Sequence, residues 1–179
     1  SKREIKEAVS VPILGDIPLD KELQKHPRPG VIALADKKEG AIAESFRILR
    51  TNLRFKLHGG VKSANGEHTS HVITLTSFNE SAGKTFIAGN LAMSLVNAGK
   101  RVIVVDMDIR KGTISAAYGD RHNGLTNYLA DESYPIEKLI RKDAMAEGLD
   151  LIGAGTIAPN PAELLMSERL DALFAYLRK

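Results

Sequence analysis

The sequence predicts an α/β fold, a parallel sheet flanked by helices, and three observations carry that reading. An apolar, β-rich run, VITLT, occupies residues 72–76, and a second run, VIVV, at 102–105 leads into two aspartates. Between them Ile87, Leu91 and Leu95 recur at four-residue spacing with Ala88 and Ala92 beside them, the stripe of a helix that lies on a sheet. With a third short run near 149–152 this makes three parallel strands, at about 72–76, 101–105 and 149–152. Open α/β sheets usually have about four to six strands, so the sheet is expected to be incomplete in this chain.

Composition supports one globular unit. A length of 179 residues suits a single domain that buries about 70% of its unfolded-state surface. Hydrophobic residues at 43% and charged residues at 26% are ordinary globular values and argue against a disordered chain. The chain has no cysteine, which removes disulfides, thiolate metal sites and thiol nucleophiles. A net charge of +3 with scattered basic residues, and 5% aromatics without tryptophan, leave little to stack or hold nucleic acid. No apolar run approaches the roughly 20 residues that span a bilayer, and no signal peptide is visible, so a membrane link is expected upstream or in a partner.

The elements follow in order. Residues 1–9 read as a short charged helix or connector, and Pro12, Pro18, Pro27 and Pro29 with Gly15 and Gly30 make the next stretch an extended, wrapping segment. Residues 1–36 are therefore a connector and 37–179 the main domain. A helix is predicted over about 38–57, with Ile42, Phe46, Leu49 and Leu53 on its buried stripe and Glu44, Arg47, Arg50 and Arg54 on its polar side. Residues 59–69 are a polar loop. Short helices are predicted at 124–129 and 135–140. A final helix starts at Asn160, with Pro161 in its first turn and Glu163 at capping-box spacing, and buries Leu170, Leu173, Phe174 and Leu177.

Chemistry concentrates at two places. The strand at 72–76, the small and polar residues 77–82 and the helix after Lys84 together form a loop that feeds a helix N-terminus, where unpaired amides and the helix dipole favour phosphate oxygens. Asn79, Glu80, Ser81, Ala82, Gly83, Lys84, Thr85 and Phe86 are the candidate nucleotide-binding residues. Gly83 permits close backbone approach, Lys84 reaches the β- and γ-phosphates, and the Thr85 hydroxyl is placed to ligate magnesium. Phe78 stands where the full phosphate-loop pattern has its first glycine. The second place is the strand exit, where Asp106 and Asp108 at i and i+2 would point the same way, into the crevice that holds ligands in open α/β sheets. Acids at strand ends are also found merely solvated, and the preceding phosphate loop is what favours a bound Mg-ATP. Thr85, Asp106 and Asp108 are thus the metal candidates, and the catalytic roles of Lys84, Asp106 and Asp108 follow from the family resemblance below.

These residues carry a family resemblance. The run D-M-D-I-R matches a D-x-D-x-R motif at Asp106, Asp108 and Arg110, and ESFRILR matches E-x-x-R-x-x-R at Glu44, Arg47 and Arg50. VPILGDIP at 11–18 and PNPAELL at 159–165 extend the similarity over almost the whole chain. The chain resembles the cytoplasmic kinase domain of the bacterial tyrosine kinases that control capsule and exopolysaccharide assembly, a P-loop NTPase-like fold. The resemblance implies Mg-ATP phosphoryl transfer to tyrosine, with Asp106 orienting or deprotonating the phenol, Asp108 holding the metal through water, and Arg110 beside the nucleotide. It also implies a homo-oligomer through Glu44, Arg47 and Arg50, transfer to the tyrosine-rich tail of a neighbouring subunit, a transmembrane adaptor or upstream membrane segment, and a place on the cytoplasmic face of the bacterial inner membrane. The 1–36 connector then becomes juxtamembrane in type, and 37–179 the N-terminal part of a kinase domain.

Departures accompany the matches. No apolar strand ending in D-x-x-P and no tyrosine-rich tail occurs before Lys179, Glu80 replaces a proline common in the loop, and Thr113 replaces a tyrosine some members carry. Two other functions fit the loop and the acids. A partitioning-type ATPase would usually carry an extra lysine early in the loop, and residues 77–82 contain none. A nucleotide-sensing regulator without catalysis is the other. Tyr118, Tyr128, Tyr134 and Tyr176 read as packing residues, and the five histidines show no metal-ligand spacing.

Overall fold

In a computed structural model the described residues are 4, 10–19, 32–36, 40–57, 70–79, 81–118 and 122–179. Most of the predicted connector and the loop 59–69 lie outside them. In chain order the elements are α1 (Ala33–Asp36), α2 (Ala41–Leu57), α3 (Lys84–Val96), β1 (Val102–Val105), α4 (Thr113–Tyr118), α5 (Leu125–Ala130), a 3-10 turn (Ile136–Lys138), β2 (Arg141–Ala146), β3 (Leu149–Ile152), α6 (Pro161–Leu165) and α7 (Glu168–Leu177).

The described sheet has the order β1-β3-β2. β1 and β3 are parallel, with Val102 opposite Leu149 and Val105 opposite Ile152, whereas β2 and β3 form an antiparallel hairpin. The sheet is therefore mixed, not purely parallel. β2, RKDAMA, has no apolar alternation to announce it, and its register breaks between Arg141 and Ala146, where Asp143 takes φ 52°. A charged, irregular strand of this kind suits a sheet edge, where it discourages pairing with other chains.

The expected strand at 72–76 does not form. The segment carries no ladder, and Val72 and Ile73 are 46% and 36% exposed. The residues favour a pleated, half-buried surface, yet no described strand edge receives them, and a strand without a partner has no backbone bonds to hold it. The other differences are smaller. The helix expected at 135–140 is a single 3-10 turn, and the last helix is broken at Met166–Ser167 into α6 and α7. Asn160 bonds Glu163 Oε2 through its side-chain amide at 2.7 Å, and no side-chain bond caps the backbone there.

Each face of the sheet covers its own core. Val102 and Val104 meet Phe46, Leu91, Met93, Leu149 and Leu151 under α1, α2 and α3, while Ile103 and Val105 meet Leu125, Leu129, Leu139, Ile152 and Leu173 under α5 and α7. Alternate residues of β1 serve opposite faces, so the strand is apolar throughout. On α2 the predicted stripe holds, with Phe46 fully buried and stacked edge-to-face on Phe86 at 5.9 Å. α3 is buried more widely than one stripe, from Gly89 to Ser94, because α2 covers one side and the sheet the other. Among the described residues no helix is long and apolar enough to cross a membrane.

Candidate active site

The phosphate loop is built to stay open. Gly83 precedes α3 at φ 91°, and Ser81 takes φ 57°, so the backbone turns through left-handed conformations before the helix begins. Gly83 has no side chain to cap the helix, and α3 makes no side-chain cap there. Its first internal bond runs from the Ile87 amide to the Gly83 carbonyl at 2.9 Å, which leaves the preceding first-turn amides for an external acceptor. Lys84 is exposed and its Nζ donates to Ser77 Oγ at 3.0 Å, while Ser77 Oγ donates to the Asn79 carbonyl at 2.7 Å. Thr85 is half-buried in the first turn, and Ser81 and Ala82 are exposed. Phe86 turns its ring into the packing against Phe46, so its amide is what it offers a ligand. Glu80 lies outside the described residues.

Connectivity places this loop. α3 closes with Gly99 at φ 74°, its amide bonded to the Val96 carbonyl, and three residues later the chain enters β1, against which α3 packs. So short a turn runs the helix back antiparallel to the strand. Thirteen helical residues span about 20 Å and four strand residues about 13 Å, which carries the Lys84 end to the C-terminal rim of β1.

At that rim the two aspartates part company. Because β1 ends at Val105, the strand alternation that would align them is lost. The Asp106 amide extends the ladder to the Ile152 carbonyl at 2.9 Å, and its side chain is buried, 4% exposed. Asp106 Oδ2 accepts the Ser115 amide at 2.9 Å and the Ser115 hydroxyl at 2.7 Å, and Oδ1 accepts the Asp108 amide at 3.2 Å. Asp108 is exposed in the following turn, and its Oδ1 accepts the Lys111 amide at 3.1 Å. Arg110 is exposed beside it. No motif in the sequence marks Ser115, which lies nine positions downstream of Asp106.

Glycines let the neighbouring strand tip close onto this rim. A Cβ on Gly124 would sit 2.4 Å from both the Gly153 carbonyl and the Gly155 amide, so α5 starts where any side chain would collide with backbone. The Leu125 and Thr126 amides there bond the Gly153 and Ala154 carbonyls at 2.8 and 2.9 Å.

A magnesium-nucleotide fits these groups. Magnesium commonly takes one or two carboxylates with substrate phosphates and water, and the described residues include no cluster of three or more acidic or histidine side chains that would instead form an all-protein cage. The exposed Asp108, Asp106 Oδ1, the Thr85 hydroxyl and the uncapped helix start are donors and acceptors of the kind that would hold such a group.

The E-x-x-R-x-x-R residues lie apart on α2. Glu44 and Arg47 are exposed and paired with each other. Arg50 is half-buried and turns inward, donating to the Ser94 carbonyl and, at 3.2 Å, to Ser94 Oγ near the C-terminus of α3. It therefore braces α2 against the phosphate-loop helix.

Comparisons with known proteins agree on the family. A family model described as an AAA domain matches residues 70–175. The chain is 34% identical over 157 residues, or 87% of its length, to the tyrosine-protein kinase wzc of Salmonella typhi, of which it covers 20%. It is 29% identical over 155 residues to the tyrosine-protein kinase etk of Escherichia coli K12, again covering 20% of that protein, so the chain spans about a fifth of these curated relatives. Among solved structures, the BceF tyrosine kinase domain matches at 32% identity and a TM-score of 0.80, with 99% of this chain and 71% of that one covered. The kinase domain of Escherichia coli tyrosine kinase ETK, at 24% identity, shares the fold at a TM-score of 0.83, with 99% of this chain and 69% of that one covered. A phosphate loop opening α3, an acidic tip on the strand that α3 packs against, and these matches together place the chain in the P-loop AAA-domain family, among its bacterial tyrosine-kinase domains.

Proposed function

We propose that the chain forms the nucleotide-binding part of a protein-tyrosine kinase that regulates capsular or exopolysaccharide synthesis and export. The observation that supports this most is the pairing of an uncapped helix start carrying Lys84 with an acidic strand tip that offers one buried and one exposed carboxylate. Bound Mg-ATP would supply the transferable phosphoryl group and neutralise charge at the phosphates. Lys84, the first-turn amides of α3 and the loop from Asn79 to Phe86 would hold the phosphates, with Arg110 beside them. Thr85 and Asp108 would hold the metal. Asp106 Oδ1, which accepts one long bond from the Asp108 amide at 3.2 Å, would orient the incoming phenol and receive its proton, which a group of pKa near 10 does not shed unaided.

Glu44 and Arg47, exposed on α2, are the residues of the proposed oligomer face, whereas Arg50 acts from behind it. Transfer between subunits onto a tyrosine-rich tail, a transmembrane partner or segment, and a place on the cytoplasmic face of the inner membrane belong to the same proposal.

Incubating the full-length natural polypeptide with labelled Mg-ATP, beside Lys84→Met and Asp106→Asn variants, tests the reading. Phosphotyrosine is expected from the wild type, with a loss of about 100-fold or more in each variant. Phosphate release without phosphotyrosine would assign an ATPase, and neither product would leave a nucleotide-sensing regulator.

A further inference from the structure

We infer that Ser115 is a positioning residue for Asp106, which it holds so that one carboxylate oxygen is committed to the protein and the other is presented at the rim. The inference rests on the reading of Asp106 and its neighbours as a magnesium-nucleotide site. Ser115 is 1% exposed, and three hydrogen bonds pass through it. Its amide and hydroxyl both donate to Asp106 Oδ2, at 2.9 and 2.7 Å, and its hydroxyl oxygen accepts the Ala154 amide at 2.7 Å.

The direction of these bonds follows from the inventory of donors. The Ala154 N–H can only donate, so Ser115 Oγ accepts there and its single proton goes to Asp106. Two donors fill the usual acceptor sites of Oδ2. Oδ1 takes one long bond from the Asp108 amide, 3.2 Å, and keeps room for another partner. Ser115 thereby fixes the plane of the carboxylate and selects which oxygen a metal, a water or a phenol meets. The same hydroxyl also ties the tip of β3, through Ala154, to the tip of β1, so a shift of one strand end would turn the acid.

The test uses Ser115→Ala and Ser115→Thr in the full-length natural polypeptide, with two readouts normalised to the folded fraction from thermal unfolding. The first is kcat and KM for ATP in phosphotyrosine formation. The second is the Mg2+ concentration that half-saturates ADP binding, followed with a fluorescent ADP. Ser115→Ala is expected to lower kcat about 10- to 100-fold with KM for ATP little changed, and to raise the Mg2+ requirement about tenfold. Ser115→Thr keeps the hydroxyl and is expected to restore most of both.

A Ser115→Ala protein that loses thermal stability yet keeps kcat and Mg2+ response per folded molecule overturns the inference, because Ser115 then serves the fold alone. If the wild type makes no phosphotyrosine, the kinase reading fails separately and the Mg2+ titration decides the role of Ser115. If Ser115→Ala does not fold, a folded Ser115→Thr protein that has lost the Mg2+ response overturns it.

Discussion

The phosphate loop and the strand-tip rim meet the same proposed ligand from opposite conditions. The loop is exposed, begins its helix on a residue without a side chain, and holds Lys84 by one bond to Ser77. The rim is buried at Asp106, bonded through Ser115 to two strand ends, and shaped by glycines that admit no Cβ at Gly124. One region is left for a ligand to complete, and the other is finished by folding. Stability and ligand response should therefore divide between them.

Denaturation measures that division most sharply. Asp106→Ala strips the acceptor from two Ser115 donors in a buried place and is expected to lower unfolding free energy by about 3 kcal/mol, whereas Lys84→Met should change it by less than about 0.5 kcal/mol. Equal losses in urea unfolding would erase the contrast. Asp108→Asn belongs with the loop on this criterion, since its carboxylate is exposed.

The same contrast recurs between two arginines one turn apart on α2. Arg50→Ala removes a guanidinium from a carbonyl in the last turn of α3 and should cost about 1–2 kcal/mol. Arg47→Ala breaks an exposed pair with Glu44 and should cost about 0.5 kcal/mol or less while weakening self-association. Sedimentation of both variants separates brace from interface: an Arg50 variant that dissociates without losing stability would reverse the assignment.

The smallest expected effect lies away from the rim. The Ser133 hydroxyl and amide hold the Asp131 carboxyl below its ordinary range. A depressed carboxylate contributes stability above its unfolded value and loses it as pH falls through the folded one. Ser133→Ala should move the Asp131 titration upward, as read by NMR, with stability near neutral pH almost unchanged.

Much of this was legible in residue order. α2, α3, β1, β3 and α5 follow from periodicity because each buries a face against a continuous core, and the loop and acids follow from their spacing. The run at 72–76 has strand composition but not a strand, since pairing needs an edge that no local pattern supplies. β2 has no strand composition yet pairs, because the Glu147–Gly148 turn, with Gly148 at φ 77°, folds it back on β3. The likeness of Asp106 and Asp108 in the sequence hid their difference, for nothing in D-M-D shows where the strand stops.

By itself the sequence determined which groups are available: a glycine-led helix start with Lys84 and Thr85, two carboxylates after an apolar strand, and the absence of any thiol. The tertiary structure decided which of them are committed. Asp106 is bound by Ser115, Arg50 by Ser94, and Val72 and Ile73 are left without a strand partner. The reason is that periodicity and spacing are local, whereas burial and hydrogen-bond satisfaction depend on groups that the fold brings together from distant positions.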